Sequence, residues 1–190
     1  MRVSPVPFFA ENLVETLNQA KESSICTHNH PFAVKGSQAI AACIYLSRSG
    51  VSVCDIKKFL ASNFDYDLEL DEQSLIMHHT FSPLSETTVP IAIWAALKGP
   101  TFEAVMIRCL KIGGDTDTIA AMAGSIAEHL YGVPKYMEYC ALEILKRDGP
   151  FLYEEYLEFS NLFYSNKESN KEKETKKNNF LSYFAWFLPK

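Results

Sequence analysis

Apolar residues in this 190-residue chain recur at three- and four-residue steps, and nowhere is a two-residue alternation sustained. A chain patterned this way can bury its apolar surface only by packing helix on helix, so the expected fold class is all-α. The cleanest stripe runs through Ile119, Met122, Ala123, Ile126, Ala127 and Leu130. Small residues in it (Ala120, Ala123, Gly124 and Ala127) would let neighbouring helices approach closely. That helix should open near Asp115, close at Tyr131 against Gly132, and lie buried at the centre of the fold.

Other segments follow the same grammar. Pro5 and Pro7 bias residues 1–8 toward an extended path. A helix is expected from Phe9 to about Cys26, broken by Thr27-His28-Asn29-His30-Pro31, and a second from Phe32 to Ser49 with Gly50 as its stop. Ser52 can cap a third, to about Phe64, burying Val53, Ile56, Phe59 and Leu60. Residues 65–88 read mostly as loop. Glu86 to Leu97 reads as a helix only if Pro90 lies in its first turn. Thr101 caps a helix reaching Ile112, and two more should cover 134–147 and 150–164.

Composition bounds the function classes. At 47% hydrophobic and 13% aromatic the chain can bury a core. Its net charge of −5 argues against a generic nucleic-acid binder, which needs a basic face for phosphates. The last 27 residues hold six Lys and three Glu, leaving 12 basic and 20 acidic residues before them. Five cysteines make an odd count without a C-x-x-C pair, which points to a reducing, cytoplasmic setting. No run reaches the roughly 20 apolar residues of a membrane helix. Residues 165–190 are expected to be a separate low-complexity linker and aromatic tail: a polar run over 166–179, then Phe180 to Leu188. The tail could pack on the domain or act as a docking or membrane-surface peptide.

Chemistry concentrates at Gly113-Gly114-Asp115-Thr116-Asp117-Thr118, the mouth of the best helix. Two carboxylates and the Thr118 hydroxyl form a hard oxygen set suited to Mg²⁺, Mn²⁺ or Ca²⁺ rather than Zn²⁺. Asp115 could instead cap the helix, and Asp117 could simply favour its positive end. The second candidate is Thr27-His28-Asn29-His30-Pro31. Histidines two apart in an extended segment point to opposite sides and chelate poorly together, so a helix-terminal histidine beside a capping Asn is the plainer reading.

Three ordered motifs resemble those of the ADP-ribosylglycohydrolases: Met1-Arg2-Val3-Ser4-Pro5, Thr27 to Pro31 with Lys35-Gly36-Ser37-Gln38-Ala39, and Gly113 to Thr118. The resemblance covers roughly 1–132. It implies an all-α bundle around a two-metal Mg²⁺ or Mn²⁺ centre, where a metal-bound water cleaves the bond between ADP-ribose and an acceptor such as a protein side chain. Asp115, Asp117 and Thr118 match the family's C-terminal metal ligands, and His28 matches a histidine that contacts the ADP-ribose. In the family the Met-Arg-Val-Ser-Pro motif lies mid-chain, after a glycine-rich loop and a Thr-Asp-Asp-Thr motif. Those acidic residues would lie upstream of Met1, so the catalytic residues are unassigned here and residues 1–164 correspond to the C-terminal portion of the bundle. The alternatives are a truncated, non-catalytic remnant or partner subunit whose N-terminal half is supplied in trans, and a helical adaptor that docks through its aromatic tail.

Overall fold

The computed structural model describes residues 1–164; the polar run over 166–179 and the aromatic segment 180–188 lie outside the described residues. Among the described residues there are ten helices and no strand, as the periodicity requires. One compact unit spans Met1–Lys135. It contains α1 (Val6–Phe9), α2 (Leu13–Ile25), α3 (Pro31–Arg48), α4 (Val53–Phe64), α5 (Glu72–His78), α6 (Ser85–Leu97), α7 (Phe102–Ile112) and α8 (Thr116–Tyr131). A second unit begins at Tyr136. Its helices are α9 (Lys135–Asp148) and α10 (Pro150–Phe163), which meet where Tyr156 Oη donates to Glu138 Oε1 at 3.4 Å. Neither helix has a buried residue.

The core of the first unit is built by α3, α6 and α8, each packed on the other two. Helix α8 buries Ile119, Met122, Ala123, Ile126 and Ala127, as its stripe predicts, while Leu130 stays half-buried. The most enclosed helix is α6, buried without interruption from Ile91 to Leu97. A helix apolar on every side must be wrapped on every side, and α6 meets α3, α7 and α8. Side chains add to the partners of the carbonyls at its C-terminal end. Arg108 Nη1 donates to Ala95 O at 3.2 Å and Gly99 O at 3.0 Å, and Tyr131 Oη donates to Ala96 O at 3.1 Å.

The structure corrects four expectations. Residues 1–8 are turned rather than extended: Val6 N donates to Val3 O at 3.0 Å and Phe8 N to Pro5 O at 3.0 Å. Proline suits a first turn, where its missing N–H would find no partner anyway. Helix α2 starts at Leu13 rather than Phe9, because the Asn12 side chain caps it by accepting from Glu15 N at 2.9 Å. Residues 65–88 contain α5, capped by Asp71, whose carboxylate accepts from Ser74 N at 2.7 Å. Helix α5 buries none of its own residues, so it leaves no apolar period to read. Pro90 lies in the interior of α6, past its first turn. Burial of the surrounding apolar residues outweighs the lost backbone hydrogen bond.

All five cysteines are free, and Cys43 and Cys109 are fully buried as small hydrophobes. Burial raises the Cys109 thiol from 9.0 to about 11 despite the opposing pull of the Arg108 guanidinium. It raises the Tyr66 phenol from 10.0 to about 12, and holds the Cys43 thiol far above its usual range. Folding keeps these acids neutral, so their contribution is whole below the unfolded values. It is lost as pH rises toward the folded ones, because the unfolded chain releases its protons first. Cys109 should account for roughly 2–3 kcal/mol of this loss. The thermal midpoint should therefore fall between about pH 9 and 11, with a shallower slope in Cys109→Ala; a flat profile over that range would contradict the assignment.

Candidate functional site

Helices α2 and α3 are pinned side by side by the second motif. Gln38 Nε2 donates to Leu17 O at 3.0 Å, and Ser37 Oγ donates to Ala20 O at 3.3 Å. Gly36 lets α6 come close: a Cβ there would sit 3.1 Å from Val89 Cγ2. Lys35 places its ammonium 4.8 Å from the Tyr66 ring centroid. Lys35 to Gln38 are thus packing residues that set the spacing of three helices.

That spacing leaves a cavity of about 400 Å³. Its walls come from the N-terminal segment (Met1 to Val3), the end of α2 with His28, the first turns of α3 and α6, and the mouth of α8. All three sequence motifs therefore line one space. The charged side chains on that lining are Arg2 and Asp115, of opposite sign.

Asp115 occupies the N-cap position of α8, yet its side chain makes no capping hydrogen bond. The capping reading of this residue is not realised, and the carboxylate lines the cavity instead, together with Thr118. Asp117 goes elsewhere. It is exposed, and its Oδ1 accepts from Thr118 N at 2.9 Å, which favours the positive end of the helix. The structure thus brings Asp115, Thr118 and His28 to one cavity and leaves Asp117 outside its lining. Among the described residues, no group of three or more His, Cys, Asp or Glu side chains could hold a metal ion.

The two histidines of the second motif separate. His28 lines the cavity, with Nδ1 2.7 Å from Thr27 Oγ1. His30 is the N-cap residue of α3 without a side-chain cap bond, its ring 5.4 Å from that of Phe32. Asn29 therefore does not cap this helix. Two participants were not singled out by spacing. Arg2 donates from Nη2 to Ser23 O at 2.9 Å and also to Thr27 Oγ1. His79 closes α5 and packs beneath Gly114, where its Nε2 is buried without a hydrogen-bond partner. The signal for Arg2 was its place in the first motif; His79 had none beyond its pairing with His78.

An all-α bundle with these motifs on one cavity defines a class, and a family model for ADP-ribosylglycohydrolase matches residues 1–143. The chain belongs to the ADP-ribosylglycohydrolase family. It is also 30% identical, over 145 residues, to an uncharacterised protein of Archaeoglobus fulgidus; the match covers 66% of this chain and 46% of the relative. The chain spans about half the length of that relative. No helix among the described residues is long and apolar enough to cross a membrane.

Proposed function

We propose that the chain acts in the hydrolysis of the bond between ADP-ribose and an acceptor, with the cavity holding the ADP-ribose. The observation that carries this reading is the convergence of three motifs, far apart in sequence, on one cavity. Its opposite charges suit a ligand that brings anionic phosphates together with a cation. Asp115 and Thr118 are hard oxygen donors and fit Mg²⁺ or Mn²⁺, but two side chains fill only part of an octahedral shell. Asp117 would complete the set by releasing the Thr118 N–H. A divalent ion, when bound, supplies Lewis acidity and lowers the pKa of a neighbouring water. His28 orients the ligand by hydrogen bonding, and the walls of α3 and α6 restrict solvent around it.

Mn²⁺ binding should therefore be loose, and Asp115→Asn should abolish it. Calorimetric titration with ADP-ribose, with and without Mn²⁺, tests the reading. The wild-type chain should bind ADP-ribose more tightly with Mn²⁺, and Asp115→Asn should lose the difference. Binding indifferent to both would sink the proposal. The incomplete donor set favours one second reading, a non-catalytic partner subunit that needs the remaining ligands in trans. Retained ADP-ribose binding without release of ADP-ribose from a modified protein, with release restored by a separately supplied N-terminal half, would identify it.

A further inference from the structure

The hydrogen bonds around His28 form a chain that runs from Arg2 through Thr27. Arg2 is a donor only, and its Nη2 reaches Ser23 O at 2.9 Å, Cys26 Sγ at 3.3 Å and Thr27 Oγ1. A hydroxyl has one hydrogen and two lone pairs. With the guanidinium donating to Thr27 Oγ1, the favourable use of the Thr27 hydrogen is to donate onward, and His28 Nδ1 lies 2.7 Å away. An imidazole that accepts at Nδ1 carries its proton on Nε2. Cys26 Sγ closes the same corner by donating to Ser23 O at 3.4 Å.

We propose that Arg2 and Thr27 are positioning residues that hold His28 in its Nε2–H tautomer, so that it offers a hydrogen-bond donor to an acceptor oxygen of the ligand in the cavity. Use of that donor by ADP-ribose rests on the function proposed above; the tautomer itself does not. Thr27 fixes the ring through Nδ1, leaving Nε2 as the nitrogen able to address a phosphate or hydroxyl oxygen. The guanidinium cannot accept, so its contact with Thr27 Oγ1 leaves the hydroxyl hydrogen free for His28 Nδ1.

Side-chain ¹⁵N–¹H correlation spectra of the full chain at neutral pH test this, with His28→Gln assigning the resonance. Wild-type His28 should show protonated Nε2 and unprotonated Nδ1. Thr27→Ser should keep that pattern, whereas Thr27→Val and Arg2→Ala should each give a mixture of tautomers. Titrated with ADP-ribose, Thr27→Val should bind about threefold to tenfold more weakly, Thr27→Ser should bind as wild type, and Thr27→Val should add little further loss on a His28→Ala background. A protonated Nδ1 in the wild type, or an unchanged tautomer in Thr27→Val, would overturn the proposal. Absence of ADP-ribose binding in every variant, with the tautomer pattern as described, would instead overturn the proposed ligand and leave the relay standing.

Discussion

Gly114→Val should destabilise the protein by roughly 2–4 kcal/mol, read as a lowered denaturation midpoint. Two physical effects combine at this position. Its φ of +70° lies in the left-handed region that a β-branched residue strongly resists. A Cβ there would also sit 2.6 Å from His79 Nε2 and 3.3 Å from the Thr80 carbonyl oxygen. The neighbouring glycine separates the two effects. Gly113, at φ +74° and ψ −145°, has nothing within 4 Å of its Cβ position, so Gly113→Ala should cost only the backbone part, about 1–3 kcal/mol. Adding His79→Ala to Gly114→Val should recover the steric part and no more. No recovery would show that His79 does not set the requirement.

Ile119→Ala should cost about 2–5 kcal/mol, through lost burial and the cavity left behind. Ile119 is fully buried, at the point where the mouth of α8 enters the core. Ile107 on α7 is 52% exposed, and Ile107→Ala should stay within about 0.5 kcal/mol of wild type. Chemical denaturation of both variants checks the contrast. Similar losses at the two sites would mean that the buried and exposed faces have been assigned wrongly.

Helices with a capping side chain and an apolar stripe were readable in the sequence. Ser52 opens α4 by accepting from Asp55 N at 3.2 Å, and Thr101 opens α7 by accepting from Ala104 N at 3.1 Å. The stripe of α8 needed no further help. What could not be read depended on neighbours distant in the chain. Helix α5 contributes no buried residue of its own, and Pro90 is tolerated inside α6 because of what surrounds that helix. The motifs at His28 and Asp115 were legible as chemistry, but their meeting on one cavity depends on the close approach at Gly36. Asp115 and Asp117 look interchangeable in sequence. The structure separates them by which carboxylate turns back to a backbone N–H, a choice made after the helix has formed.

His79 beneath Gly114 has a consequence for how firmly the loop over residues 113–115 is held. With none of its residues buried, α5 should open at a free energy far below that of the α3–α6–α8 core. Its ties are its packing on α7, the Glu72 carboxylate, 3.4 Å from Arg108 Nε, and the His79 ring under the loop. Each fraying of the last turn of α5 removes the floor on which Gly114 rests. The loop that carries Asp115 is held at its ends by α7 and α8, through Gly113 N to Cys109 O at 3.2 Å and Ile119 N to Asp115 O at 2.9 Å, and at Gly114 by the end of a seven-residue helix. A ligand that orders the loop through Gly114 should also slow amide hydrogen exchange in the last turn of α5, so occupancy of the cavity would register in a helix that contributes no residue to its wall.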